Sequence, residues 1–462
     1  MGRLETVYAG LPVWAQHGAV SAYGTYWYWM RFGPGYQTYL NEYASRDRFD
    51  QASWRAWQAR KVLAVLDASA TAVPYYRERW NRAELAAARA GRLQDLPVLE
   101  KQAVRSNPEG FVRQDRRPRP RLVFHTSGST GTPIATVWDA RELRRAMALR
   151  EARSAAWAGV SFRMPRATFS GRMSEPDPDS KGPFYRFNIV ERQAYFSPFH
   201  LRADTAPRYV GALRRHGIQW LTGYAVSYYL LARFILDLRL AVPPLRAVVT
   251  TSEKVTREMR QTMEQAFGCP VFEEYSTVEN VVFASECAWH RLHVSPDCAV
   301  VEILRSDGSP CDPGEVGEVV ATGLLREHQP LVRYRLGDLA AWDPEACPCG
   351  REMPVIKEVV GRVEDVLVGP DGRQMVRFHG VFVDQPNVRE GQIIQETLHR
   401  IRVKVVPGNG FHERDASDVA QRVRQRIGTQ VDVVVETVDR IPRTAGGKFQ
   451  AVISRLHSAS TP

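Results

Sequence analysis

The sequence predicts an α/β protein. It should have a large N-terminal domain, with mixed and parallel sheets flanked by helices plus a β-rich subdomain, and a smaller α+β C-terminal domain. Three observations predict this. Between residues 205 and 274, short apolar runs alternate with helical patterns, as in the βαβ units of a parallel sheet. After about residue 290 the runs shorten, with hairpin-like turns at Asp307-Gly308 and Asp312-Pro313-Gly314. A length of 462 residues leaves room for about three domain-sized units.

Residues 1–95 read as a helical lead-in. A helical pattern runs from Ala52 to Leu66, and Val73-Pro74-Tyr75-Tyr76 ends that stretch. Ala22 to Met30 is rich in aromatic residues and reads as core packing, with an interfacial anchor as the second reading. Arg121 to His125 is a short strand that leads into a Ser/Thr/Gly loop. A second strand follows, and then Asp139 and Glu142 form a capping box for a helix reaching about Ala158. A helix from Thr205 to His216 has Pro207 in its first turn and Gly217 at its end. Strands at 218–222, 245–250 and 270–274 alternate with helices at 226–238 and 256–267, the latter stopped by Gly268. Residues 1–361 form the first domain and 362–462 the second, with strands in 392–406, a helix at 415–427 and a strand at 431–437.

Apolar residues at 44% and charged residues at 24% describe a globular chain and exclude disorder and collagen-like structure. The net charge of +11 is diffuse. Its densest run, Arg113, Arg116, Arg117, Arg119 and Arg121 against Asp115, reads as a solvated face and not as a nucleic-acid surface. The charge favours anionic small molecules or the inner membrane surface. Six cysteines are too sparse for a disulfide scaffold. No apolar run reaches 18 residues and no signal-peptide pattern opens the chain, so a cytoplasmic protein is expected, with peripheral membrane association left open.

Five motifs carry chemistry. Thr126, Ser127, Gly128, Ser129, Thr130, Gly131, Thr132 and Pro133 form a loop whose amides and hydroxyls suit an anion, without the lysine of a P-loop. Glu274, Tyr275, Ser276, Thr277, Val278 and Glu279 follow a strand, where ligands of open α/β sheets bind. There a tyrosine can pack on a flat base and Glu279 can hold Mg²⁺. Asp338, after Gly337, can accept both hydroxyls of a ribose. Gly361, Arg362 and Glu364 mark the domain boundary, and Lys448 stands in a Pro/Gly loop with Gly446 and Gly447. Taken singly, each motif also reads as an ordinary turn or solvated loop.

In order and spacing the motifs resemble the adenylate-forming superfamily of acyl-CoA synthetases, adenylation domains and luciferases. Pro74-Tyr75-Tyr76, Gly223-Tyr224, Thr251-Ser252-Glu253 and Cys347-Pro348-Cys349-Gly350-Arg351 resemble its phenylacetate–CoA ligase-like branch. The N-terminal aromatic stretch is similar to the group associated with capsular polysaccharide genes. The resemblance implies that a carboxylate attacks the α-phosphate of ATP, giving an acyl-adenylate and pyrophosphate, and that CoA or an amine then takes the acyl group.

By the same match, residues 126–133 would cradle the pyrophosphate portion, Ser252 and Glu253 with Glu274 to Thr277 would line the nucleotide, and Tyr275 would pack on adenine. Glu279 would hold Mg²⁺, Asp338 the ribose, and Arg362 the ribose or phosphate. Lys448 would neutralise charge at the α-phosphate. Glu364 would be the hinge of a mobile C-terminal lid.

This chain departs from the pattern at three places. Val278 stands where the family has Thr or Ser, Glu364 where Asp is usual, and Ile134 where many relatives carry Lys. Val278 favours an alternative: a nucleotide-binding or scaffold member of a polysaccharide assembly, without turnover. Cys287, His293, Cys347 and Cys349 offer three thiolates and an imidazole, the donor set of a closed structural zinc site. His290 competes with His293, and strand alternation favours His293. Arg163, Arg166, Arg172, Lys181 and Arg186 read either as a solvated loop or as a face toward an anionic substrate.

Overall fold

A computed structural model describes residues 7–8, 10–125, 134–170, 174–175, 180–362, 367–370, 374–375, 379–382, 385, 387–443 and 449–456. Its contacts divide into two compact units. One is Met1–Leu336 with Ala341–Glu358; the other is Gly337–Ala340 with Val359–Pro462.

The first unit opens with helices α1 (Val13–Phe32), α2 (Tyr36–Arg46) and α3 (Gln51–Ala72). Asp50 caps α3, accepting from the Ser53 amide at 2.7 Å. Val73 is extended, and Pro74 starts the next short helix at a position where its missing N–H costs nothing.

Next come β1 (Leu122–His125) and β2 (Ala135–Trp138), an antiparallel pair with Leu122 opposite Trp138 and His125 opposite Ala135. Helix α4 (Ala140–Arg150) carries the capping box on Asp139 and Glu142, and a wide π turn, Glu151–Ala155, extends it.

The remaining strands of this part are β3 (Arg166–Phe169), β4 (Tyr185–Asn188), β5 (Gln193–Phe196), β6 (Trp220–Tyr224), β7 (Ala247–Thr251), β8 (Val271–Ser276), β9 (Phe283–Glu286), β10 (Leu292–Val294), β11 (Ala299–Leu304), β12 (Val316–Gly323), β13 (Tyr334–Trp342) and β14 (Val355–Arg362). Among the described residues they form one sheet in the order β11-β12-β13-β14-β10-β9-β8-β7-β6-β3-β5-β4. Strands β5, β3, β6, β7 and β8 are mutually parallel, while β4 and β9 flank them antiparallel.

Both faces of the parallel part are buried, which is why β6 and β7 open on apolar runs, Trp220-Leu221 and Ala247-Val248-Val249. Leu221, Val248 and Val271 pack against α5 (Ala206–Arg215), α6 (Ala225–Asp237) and α7 (Arg257–Phe267). Trp220, Ala247, Val249 and Phe272 face the other way, into a layer built from α2, α4 and its π turn. Gly223, within β6, has φ +125°, and a Cβ there would lie 1.9 Å from the Phe169 carbonyl oxygen. Only glycine fits so close an approach.

Two expectations are corrected. The aromatic stretch of α1 is not core. Tyr23, Tyr26 and Trp29 are 59%, 44% and 54% exposed, and the buried residues of this helix are Gln16, Gly24 and Met30. Small and polar positions make the seat: Gly24 packs on Asn188, and His17 Nδ1 accepts from the Phe187 amide. That contact turns the rings outward.

The arginine cluster is neither solvated loop nor substrate face at Arg166 and Arg186. Arg166 is buried against Glu191 and Gln193, and Arg186 against Glu175 and Gln16. Buried charges need such partners. Arg172 lies outside the described residues.

The second unit has strands β15 (Leu367–Val368) and β16 (Gln374–Met375), which pair with each other. It also has a four-stranded sheet of β17 (Val388–Thr397), β18 (Arg400–Pro407), β19 (Asp432–Thr437) and β20 (Val452–Ser454), in the order β19-β18-β17-β20. Helix α8 (Glu413–Ile427) lays Val419 and Val423 on Ile393, Ile401 and Val403. Among the described residues no helix is long and apolar enough to cross a membrane.

Candidate active site

The C-terminal ends of β7 and β8 carry the residues expected around a nucleotide. Ser252, just past β7, is exposed and holds φ +71°, a left-handed conformation uncommon outside glycine and typical of functional turns. Glu253 Oε2 accepts from the Val226 amide at 2.8 Å, at the amino end of α6. Tyr275 and Ser276 end β8, half-buried. Glu274 is buried, paired with Arg150 at 3.0 Å, and accepts from Ser276 Oγ at 3.3 Å.

Beyond β8 the chain turns sharply. Val278 is exposed, while Glu279 is buried, with Oε1 accepting from the Tyr334 hydroxyl at 3.0 Å. Thr277 Oγ1, in the same turn, is buried with no hydrogen-bond partner. A buried unsatisfied hydroxyl costs about 1–3 kcal/mol, and a ligand oxygen or its water would satisfy it. The residues present therefore fit a metal–nucleotide phosphate at this turn.

Arg326 holds this turn to the β1–β2 hairpin. It donates from Nη1 to the Glu279 carbonyl at 2.9 Å and from Nη2 to the Val137 carbonyl, and its guanidinium lies 4.1 Å from the centre of the Trp138 ring. Neither Arg326 nor Tyr334 was assigned a role from sequence. Tyr334 lies four residues before Asp338 in the same motif, which was the available signal; Arg326 had none.

Asp338 is buried within β13 and belongs by its contacts to the second unit. Arg362 ends β14, and its side chain is outside the described structure. Thr126 to Pro133, Glu364 and Lys448 also lie outside the described residues.

A second cluster sits in the β-rich region. Cys287 follows β9, His293 is on β10, and Cys347 and Cys349 lie between β13 and β14. Their ligand atoms all lie within 4.8 Å of one another. Cys287 Sγ is 3.6 Å from Cys347 Sγ, and Cys349 Sγ is 3.3 Å from His293 Nε2. A tetrahedral zinc would set sulfur–sulfur edges of ~3.8 Å and sulfur–nitrogen edges of ~3.5 Å. The donor set and spacing fit that ion.

Gly350, at φ +76°, closes the Cys347–Cys349 turn as its amide donates to the Cys347 carbonyl at 3.1 Å. Burial pushes His293 down to about 4, leaving the neutral imidazole a metal requires. His290 is outside this cluster, paired instead with Glu286. Beside the cluster, Trp157 packs edge-on against His293, donates to Asp47 at 2.8 Å and carries Arg351 on its ring.

Comparison with known proteins follows the same lines. Residues 367–455 match the family described as the CapK C-terminal domain. Protein CapK of Staphylococcus aureus is 25% identical over 374 residues, covering 79% of this chain and 80% of that one. A phenylacetate-coenzyme A ligase of Thermus thermophilus is 27% identical over 243 residues, 45% of this chain and 54% of its own length. Among solved structures, 2-hydroxyisobutyryl-CoA ligase in its postadenylation state shares the fold with a TM-score of 0.69 and 19% identity, over 90% of this chain and 92% of that one. By sequence the chain is similar to CapK and to phenylacetate-coenzyme A ligases, and its fold is that of the adenylate-forming ligases.

Proposed function

We propose that the protein is an AMP-forming acid ligase. A carboxylate oxygen attacks the α-phosphorus of Mg·ATP, the bond to the bridging oxygen breaks, and pyrophosphate leaves. A thiol, that of CoA, or an amine then attacks the acyl carbon and expels AMP. The observation that carries this reading is the turn after β8. It has a buried carboxylate oriented by Tyr334, an unsatisfied Thr277 hydroxyl beside it, and both at the strand ends of a parallel sheet.

Adenylyl transfer asks the protein mainly to position groups and place charge. Glu279 would hold Mg²⁺ against the phosphates, and Tyr334 would fix its carboxylate. Tyr275 would pack on adenine and Asp338 would hold the ribose. The loop 126–133, Arg362 and Lys448 would bind the phosphates, with Glu364 as hinge. Residues 1–361 would bind acid and ATP, and 362–462 would act as the lid. Cys287, His293, Cys347 and Cys349 would hold a structural zinc away from the chemistry.

Trapping acyl-adenylate with hydroxylamine, across a panel of acids with Mg·ATP, tests this reading. The expected result is ATP-dependent hydroxamate with at least one acid class. Exposed Val278, which removes a hydroxyl from the turn, favours the second reading of a non-catalytic nucleotide-binding scaffold. Nucleotide binding with no hydroxamate from any acid would establish that reading instead.

A further inference from the structure

The densest basic run of the sequence has no part in the reaction described above. Arg113 is paired with Asp115 and Arg121 with Glu109. The three arginines between them border an open hollow of about 540 Å³, lined by Arg116, Arg117, Arg119, Asp139, Arg141 and His328. It lies at the end of the β1–β2 hairpin where Leu122 meets Trp138. His125 and Ala135, at the opposite end of that hairpin, are ~10 Å away at ~3.3 Å per residue.

The charges in this hollow do not balance. Glu327 Oε2 accepts from Arg116 at 3.2 Å and Arg141 at 3.0 Å, and Arg145 reaches its other oxygen. One carboxylate thus serves three guanidinium groups. Burial pushes Glu327 up, but these arginines outweigh it and hold it below the ordinary range. Asp139 is fully engaged: it accepts from the Glu142 amide at 2.7 Å and from His328 Nε2 at 2.9 Å. Arg117 and Arg119 have no hydrogen bond or ion pair among the described residues. Both are exposed. With Arg145 and Glu327, which adjoin the lining through the Arg116 and Arg141 pairs, five arginines meet two carboxylates.

The arm is also stiff. Pro118 and Pro120 interrupt the arginines and restrict the backbone of the residues before them. Less freedom is then lost when the side chains close on a ligand. Guanidinium forks match phosphate oxygens two at a time, so an excess of three positive charges calls for a ligand with several phosphate charges.

We propose that this hollow is a binding site for a small molecule bearing two or more phosphate charges, gripped by Arg117 and Arg119 and positioned by the Arg116–Arg141–Glu327 group. Two sources offer that chemistry: pyrophosphate, and the nucleotide end of coenzyme A with its diphosphate and 3′-phosphate. Naming these sources rests on the ligase reading; the site itself does not.

Calorimetry on the full chain at about 0.15 M salt tests it, with pyrophosphate, coenzyme A and dephospho-coenzyme A as probes and no acid or ATP present. At least one probe should bind the wild type. The double variant Arg117→Ala/Arg119→Ala should bind it ~100-fold more weakly, since each charge-assisted contact is worth roughly a factor of ten. A tenfold preference for coenzyme A over dephospho-coenzyme A assigns the site to the 3′-phosphate end, and equal or tighter pyrophosphate binding assigns it to the product.

A charge-matched control, Arg89→Ala/Arg92→Ala, should bind as the wild type does. The proposal is overturned if no probe binds, if the double variant binds unchanged, or if the control loses as much. A chain that fails hydroxamate trapping yet shows this arginine-dependent binding keeps the site and loses the ligase reading.

Discussion

The Tyr334 hydroxyl donates to Glu279 Oε1 across 3.0 Å, joining the turn after β8 to the first residue of β13. A carboxylate that is both buried and oriented is ready to take a cation without rearranging. Glu279→Gln should lower hydroxamate formation at least ~100-fold, the cost of removing one essential charge-stabilising group. Tyr334→Phe keeps the carboxylate and loosens it. Half-saturation in Mg²⁺ should then rise ~10–100-fold, the usual cost of an outer-shell partner, with kcat at saturating Mg²⁺ less affected. An unchanged Mg²⁺ dependence in Tyr334→Phe would detach Tyr334 from the metal.

Zinc should be present at about one per chain in protein purified without chelator. Cys347→Ser/Cys349→Ser should carry almost none. Structural zinc contributes about 10–16 kcal/mol in small peptides, but the large apolar core of the first unit should survive its loss. Elemental analysis and urea unfolding check the two halves of this statement. Zinc absent from the wild type would remove the metal.

Lys448→Ala should separate the half-reactions. Acyl-adenylate formation should fall at least ~100-fold, as for loss of one oxyanion donor. Transfer from supplied acyl-adenylate to the acceptor should stay near the wild-type rate. Equal losses in both steps would argue against a lid that alternates between them.

Arg153 and Asp297 form a fully buried pair at 2.5 Å, and Arg46 donates to the same carboxylate at 2.8 Å. Asp297→Asn should destabilise the protein by about 3–5 kcal/mol, because it strands buried positive charge. Burial alone would push Asp297 up, but the charges and hydrogen bonds of Arg153 and Arg46 hold it below the usual carboxylate range. Its contribution is therefore complete above the ordinary aspartate value of about 3.9 and fades as pH falls toward the lowered folded value. Urea midpoints measured from pH 5 down to 3 should fall more steeply for wild type than for Asp297→Asn. Parallel slopes would mean that the pair does not titrate in this way.

Strands β6, β7 and β8 and the helices between them were legible because their apolar residues stand out between helical patterns, and because Asp139, Pro207 and Gly268 mark helix ends by local chemistry; β3 and β5, which carry buried Arg166 and Gln193, were not assigned. The Cys347–Cys349 half of the cysteine–histidine cluster was legible for the same reason, since a Cys-x-Cys-Gly turn is local. Long-range pairing was not legible. Nothing near Arg326 in sequence announces that it reaches Glu279 and Val137, 47 and 189 residues away. Nor do the neighbours of Arg166 and Arg186 reveal that Glu191 and Glu175 neutralise them in the interior. The outward rings of α1 misled for another reason. Hydrophobic composition says that a helix can be buried, and only its seat, Gly24 on Asn188, says which side is.

The position of Trp157 gives the cysteine–histidine corner a chromophore of its own. The indole stands edge-on to His293 at 5.8 Å, with the Arg351 guanidinium 4.2 Å from its ring centre and its N–H fixed on Asp47. Emission from an indole is sensitive to a neighbouring charge and to a neighbouring heavy ion. Filling and emptying of the corner should thus be visible as light from one residue. Comparing the wild type with Trp157→Phe isolates that signal from the ten other tryptophans of the chain.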